Sequence, residues 1–326
     1  MIERLKKLGA LALIPLSVVP VVLSVPKVED EYAQFEDAYL NRDALPAPEV
    51  APRDWEPVRV PGGRVPVLTY HGIEERPSSP YSITRDEFAR QMAMLDELGF
   101  ATIGIETYTR WLGGEDVDLP EKPILVTFDD GQLDSFRGAD AVLERHGFEA
   151  TMFAMSGEAG ERGGFYSTWD ELLAMRDSGR WHIQLHAGHG HHAVPTGPDS
   201  EGPFYANRAW NGAEAGLESF GSARDRIIGD ILWGKREMRD QMPGFESHAF
   251  AVPFSEFGQH HTNDRRIPEM LRPWLAHQFE VIFVQSEDPP FSRAGGATDM
   301  VFRFEIRRDT STEELHDWLG RYGSGR

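Results

Sequence analysis

The run Ile124-Leu125-Val126-Thr127-Phe128 ends in Asp129-Asp130-Gly131, so an apolar segment closes on two adjacent carboxylates and a glycine. Opened by Pro123 and rich in apolar and β-branched residues, it reads as a strand covered on both faces, as in a parallel sheet. Neighbouring strand residues point to opposite faces, so both acids reach one site only where the strand breaks into its loop. Gly131 allows that break. Carboxylates this close do not both ionise freely unless a cation lies between them. Partners for such a cation stand in Trp181-His182-Ile183-Gln184-Leu185-His186-Ala187-Gly188-His189-Gly190-His191-His192, which packs five histidines into eleven residues. The run through Leu185 is a second short strand, which puts His186 at a strand end and His191 one small loop further on. An Asp with two His is a three-ligand set with open positions, suited to zinc or another divalent transition metal and to a bound water. His189 competes with His191 for the second histidine position. The chemistry this favours is activation of water.

The elements that must position these residues follow from the periodicity. From Val65 onward, short apolar runs alternate with amphipathic segments. Thr84-Arg85-Asp86-Glu87 has capping-box form, and Phe88, Met92, Leu95 and Leu98 follow at helical spacing until Gly99. Strands are expected at 101–105, 124–128, 151–155, up to His186, at 248–252, 280–284 and 300–306. Helices fall between them, at 106–112, 135–146, 169–178, 221–242, 266–277 and 312–319. Alternating strands and helices imply a parallel sheet, and sites at several strand ends favour a barrel over an open sheet. Residues 193–221 form the longest stretch without a period. Following the histidines and carrying Phe204, Tyr205 and Trp210, they are expected either to wall a sugar-binding groove, with Trp210 as a substrate contact, or to anchor the loop to the barrel.

A chain of 326 residues, 40% hydrophobic, accommodates one large core, and an α/β domain of residues 64–326 accounts for it. The absence of cysteine excludes a disulfide framework and a thiolate metal site. A net charge of −20 argues against nucleic acid as a partner. Residues 27–63 are acidic and proline-rich and read as a linker. Ahead of them, a basic start is followed by an uncharged, mostly apolar stretch from Leu8 to Val25; at helical rise it reaches about 27 Å. Residues 1–26 are therefore a secretory signal peptide or a signal anchor, the anchor giving a membrane contact. The remainder is expected outside the cytoplasm, secreted or held at the cell membrane.

Thr127-Phe128-Asp129-Asp130-Gly131 resembles the first motif of the polysaccharide deacetylases, the family 4 carbohydrate esterases with a NodB-homology domain. The His186–His191 spacing is similar to that in the branch acting on poly-β-1,6-N-acetylglucosamine. Val67-Leu68-Thr69-Tyr70-His71-Gly72-Ile73 resembles that branch's opening strand, and Phe250-Ala251-Val252-Pro253-Phe254-Ser255-Glu256-Phe257 its third motif. The chain departs from the wider family at Ala251, where an Arg is usual, and lacks a Leu-x-His near the C-terminus. These departures place a chitin or peptidoglycan type of deacetylase second.

The resemblance implies a distorted (β/α)7 barrel and an N-acetylglucosamine polysaccharide as substrate and partner. It implies one divalent metal, zinc first with cobalt or nickel as alternatives, held by Asp130, His186 and His191. Asp129 is the implied general base, and the backbone N–H of Phe254, after Pro253, the implied oxyanion donor. His71, at a strand end at the same mouth, is the candidate proton donor to the leaving amine, with His189 and His192 as alternatives. Glu256 is a candidate for orienting a histidine or touching substrate amines, and Pro253 is grouped with it at the substrate. A glycoside hydrolase fits poorly, because its carboxylates stand about 5 Å or more apart across a sugar. A polysaccharide-binding protein without catalysis would have no need of both Asp129 and Asp130.

Overall fold

The computed structural model describes residues 45–160 and 164–323. Seven parallel strands, β1 (Val67–Tyr70), β2 (Pro123–Phe128), β3 (Ala150–Met155), β4 (Trp181–Ala187), β5 (Ala249–Ala251), β6 (Val281–Ser286) and β7 (Val301–Glu305), pair each with the next. The ring closes through Phe304 opposite Leu68 and Glu305 opposite Thr69. This is the closed seven-strand (β/α) barrel expected of a NodB-type domain. A two-residue strand, Ala101–Thr102, pairs with the outer start of β2.

The helices are α1 (Arg85–Glu97), α2 (Ile105–Leu112), α3 (Leu133–His146), α4 (Trp169–Asp177), α5 (Phe220–Gln241), α6 (Arg266–Gln278) and α7 (Thr312–Gly323). Strand alternation divides the core in two. Ile124, Val126 and Phe128 face outward and pack with Phe88, Met92 and Leu143 of the surrounding helices. Leu125, Phe153, Val281, Phe283 and Val301 face inward, where Tyr108 and Trp111 of α2 join them. Fully burying side chains of this size contributes about 1.5–3 kcal/mol each.

Sequence and structure differ in three places. At Thr84 the hydroxyl accepts from the Glu87 N–H at 3.1 Å, but Glu87 turns away to accept from Thr312 Oγ1 at 2.7 Å, so the box is half formed. The reciprocal box stands at Thr168 and Glu171 instead. Residues 193–221 hold a hairpin of Ala193–Gly197 and Ser200–Pro203, pinned by Arg226 through the carbonyls of Phe204 and Asn207. The strand expected at 101–105 stops at Thr102, and α2 starts at Ile105.

Residues 45–61 carry no helix or strand yet lie against the domain. Arg85 donates to the Pro46 carbonyl at 2.7 Å, Arg145 to that of Ala47 at 2.8 Å and His316 to that of Glu56 at 2.8 Å, while Val58 is buried. The expected signal or anchor at 1–26 lies outside the described residues, among which no helix is long and apolar enough to cross a membrane.

Candidate active site

Along β2 the inward positions are Leu125, Thr127 and, one step past the strand, Asp129, which points into the barrel and is fully buried. Regular alternation would send Asp130 outward. Instead Asp130 and Gly131 both take φ of +73°, turning the second carboxylate back to the mouth. Asp tolerates this left-handed conformation better than most residues. Gly131 is required, because a Cβ there would stand 3.0 Å from the Cβ of Ala154.

On β4, His186 shares the inward set with Gln184 and brings its ring to Asp130. Its Nδ1–H donates to the Ala251 carbonyl at 2.8 Å, which fixes the tautomer and leaves Nε2 bare toward the mouth. His186 Nε2 and His191 Nε2 stand 3.5 Å and 3.4 Å from Asp130 Oδ1. These separations are too long for hydrogen bonds, and His186 Nε2 and Asp130 Oδ1 are buried without a partner among the described residues. They are the right separations for shared ligation: atoms bonded to one tetrahedral ion at about 2.0–2.1 Å lie about 3.3 Å apart. One N/O atom from each of the three residues lies within 4.8 Å of the others. Burial favours a neutral His186, but Asp129 and Asp130 outweigh it and hold the imidazole above its usual range. Burial, then His186, push His191 down to about 4. Burial would raise the Asp130 carboxyl, but its contact with His186 and the fields of three histidines hold it well below the usual range. A carboxylate held ionised between two histidine rings is a donor set that could hold a cation, and its chemistry fits a borderline divalent ion.

Asp129 meets a partner that sequence reasoning did not supply. Arg303, inward on β7 and also fully buried, donates from Nη1 to Oδ1 at 2.7 Å and from Nη2 to Oδ2 at 2.6 Å. Gln285 Nε2, at the end of β6, adds a bond to Oδ2 at 3.1 Å. Burial raises the Asp129 carboxyl, but Arg303 and His186 outweigh it, so it stays ionised below its ordinary value. Oδ2 has both lone pairs engaged by these donors and Oδ1 has one, leaving an acceptor site on Oδ1.

His71, just past β1, and Phe254 complete the mouth. They line a cavity of about 490 Å³ with Asp130, His186, His191 and Gln285. Pro253–Ser255 form one short turn in which Phe254 and Ser255 have φ of +57° and +55°. This places the Phe254 ring 4.5 Å from that of His191, half exposed, with Pro253 buried beneath.

Four expected contacts lie elsewhere. Glu256 accepts from the N–H groups of Gly258 and His260, bracing its own loop rather than facing the cavity. Trp210 bridges to Leu217 and gives its N–H to Pro195, outside the cavity lining. His189 stacks on Trp233 of α5 at 4.5 Å, and His192 Nδ1 bonds the His189 carbonyl, so neither reaches Asp130. Asp230 explains the unusual spacing: its carboxylate accepts from the N–H groups of Gly188 and His189 and from the Tyr205 hydroxyl. A Cβ at position 190 would lie 2.7 Å from that hydroxyl, so position 190 has no room for a side chain, and the histidine that stands beside Asp130 is His191.

Residues 116–266 match the family described as polysaccharide deacetylase. The chain is 22% identical over 206 residues to the poly-β-1,6-N-acetyl-D-glucosamine N-deacetylase of Escherichia coli (strain K12), covering 58% of this chain and 30% of that one. It spans less than half the length of the curated relatives it matches. Its fold is similar to IcaB from Ammonifex degensii, with TM-score 0.62, 24% identity and coverage of 79% of this chain and 98% of that one. It is also similar to a de-N-acetylase from Aggregatibacter actinomycetemcomitans, with TM-score 0.67, 20% identity and coverage of 78% and 99%. The closed seven-strand barrel agrees with that similarity, and over residues 116–266 the chain matches a polysaccharide deacetylase domain of the NodB-homology class.

Proposed function

We propose that this protein hydrolyses N-acetyl groups from an N-acetylglucosamine polysaccharide, poly-β-1,6-N-acetylglucosamine first, with one divalent metal held by Asp130, His186 and His191. The observation that carries the reading is the pairing of that ligand set, which lines one open cavity, with a second, ionised carboxylate, Asp129, adjacent in sequence and buried beneath the cavity. The chemistry a divalent ion supplies at such a site is acidification of water and polarisation of an acyl oxygen. Asp129 Oδ1 takes the proton of the attacking water, while Arg303 and Gln285 keep the carboxylate ionised and aimed. The backbone N–H of Phe254 supports the developing negative charge on the acyl oxygen. His71 hands a proton to the departing nitrogen, completing hydrolysis to acetate and a free amine. The relative from Escherichia coli is named for the β-1,6 polymer, and the His186–His191 spacing supports the same substrate here. The protein acts outside the cytoplasm, led or anchored there by its N-terminal segment.

The test is amine release by the full chain from β-1,6-linked and β-1,4-linked N-acetylglucosamine oligomers. It is run before and after chelation, with zinc, cobalt or nickel restored, beside an Asp129→Asn variant. Metal-restored release, abolished in the variant and faster on the β-1,6 oligomer, supports the reading. No release from either oligomer, with oligomer binding intact, would make the domain a polysaccharide-binding one.

A further inference from the structure

Two aromatic side chains stand well exposed at the mouth, Phe254 at 50% and Tyr81 at 42%. Phe254 belongs to the third motif; Tyr81 belongs to none. A singly exposed ring is ordinary on a protein surface. The loop beneath Tyr81, however, is built to hold it. Glu74 accepts from the Ser78 N–H at 2.8 Å and from the Ser78 and Ser82 hydroxyls at 3.0 Å and 2.5 Å. From the far side Arg308 donates its N–H to Pro80 at 2.8 Å and its guanidinium to Pro77 at 2.7 Å. The Tyr81 ring lies 5.4 Å from the His71 ring, the Arg307 guanidinium carbon lies 5.1 Å from its centroid, and all three residues line the cavity. The Tyr81 hydroxyl has no hydrogen-bond partner among the described residues.

We propose that Tyr81 is the platform for the sugar ring that carries the reacting nitrogen. The inference rests on the deacetylase reading and deepens it. In that reading the acyl oxygen lies toward Asp130, His186 and His191, and the nitrogen must face His71 to receive its proton. The pyranose bonded to that nitrogen therefore continues past His71, and the ring standing there is Tyr81. The apolar face of a pyranose stacks on an aromatic ring, and the free hydroxyl can bond a sugar oxygen. Glu287 and Glu305, on the same cavity, offer acceptors to the hydroxyls of the next residue.

The experiment compares the wild-type chain with Tyr81→Ala and Tyr81→Phe. It measures kcat and KM on a β-1,6-linked N-acetylglucosamine pentamer. It also measures calorimetric binding of that pentamer to the same three side chains in an Asp129→Asn background, where no turnover is needed. Tyr81→Ala is expected to raise both KM and Kd about tenfold, and Tyr81→Phe about twofold, with kcat and the melting temperature held. Unchanged binding by Tyr81→Ala overturns the inference, as does loss of kcat with KM intact, which would make Tyr81 a brace for His71. If no variant turns over the pentamer but the Asp129→Asn series shows the tenfold loss, the platform stands and the deacetylase reading falls. Turnover untouched by Tyr81→Ala has the opposite meaning.

Discussion

Replacing Arg303 by Leu tests the most consequential contact in the barrel. Asp129 and Arg303 are both without solvent exposure and joined by two short charge-assisted bonds. Removing one partner of such a pair costs about 3–5 kcal/mol, because the other charge stays buried and uncompensated. Asp129 has an escape that bounds the loss: it can take a proton and stay neutral. Protonating a carboxyl of ordinary pKa 3.8 costs about 4 kcal/mol at pH 7 and about 1.6 kcal/mol at pH 5. The leucine also gains contact with Phe153 and Phe283, whose ring centroids lie 5.4 Å and 5.5 Å from the guanidinium carbon, offsetting about 1 kcal/mol.

The variant should therefore lose about 3 kcal/mol at pH 7 and less than about 1 kcal/mol at pH 5. The sign follows from linkage: without Arg303, the folded pKa of Asp129 lies above the unfolded one, so stability falls as pH rises above 3.8. In the wild type the folded pKa is depressed, so the contribution is present above 3.8 and is lost only at lower pH. Urea unfolding of metal-free protein at pH 5, 6 and 7, followed by tryptophan fluorescence, reads the difference directly. The double variant Arg303→Leu with Asp129→Asn should regain most of the loss at pH 7, since no charge is then buried alone. A destabilisation that is flat from pH 5 to 7, or no recovery in the double variant, would refute the reasoning. Catalysis should fall in step in the single variant, because a protonated Asp129 cannot accept the proton of water.

The ligand set predicts that metal added to stripped protein at about a hundredfold over Kd raises stability by about 2.7 kcal/mol. His186→Ala or His191→Ala should abolish the accompanying thermal shift while His189→Ala leaves it; a shift lost in His189→Ala would reassign the second histidine. Gly190→Ala should cost about 1–3 kcal/mol in urea unfolding, since its Cβ meets Tyr205 at 2.7 Å and Asp230 at 2.9 Å. A neutral result would show that this loop yields easily. At the opposite end of β4, burial lowers the His182 imidazole, but Glu106 and Glu149, each 2.8 Å from a ring nitrogen, outweigh it and raise the pKa to about 9. Its contribution is full below pH 6.5 and disappears as pH rises through 9. It amounts to about 1–3 kcal/mol given the partly exposed glutamates, and His182→Gln should flatten the urea midpoint over that range.

What could be read from the sequence was what is local along the chain. A strand end places its last residues at the barrel mouth whatever the rest of the chain does, so Asp129, Asp130, His186 and His71 were legible from runs of fewer than ten residues. The strand and helix positions followed the same rule, since each element declares its own period. Two kinds of information were missing. One was the pairing of distant residues: Arg303 lies 174 positions from Asp129, and no period connects them. A signal did exist, because an arginine flanked by Val301, Phe302 and Phe304 inside a parallel strand must find an acid in the barrel interior, and Asp129 is the acid pointing there. The second was steric exclusion: Tyr205 and Asp230, neither adjacent in sequence, fill the space at Gly190 and hold the loop so that His191, not His189, lies beside Asp130. The two gaps bear on one departure from the wider family. With Ala251 where an arginine is usual, β5 gives only a carbonyl, which orients His186. The guanidinium that keeps Asp129 ionised comes from β7, so the charge balance at Asp129 is met by a residue on another strand.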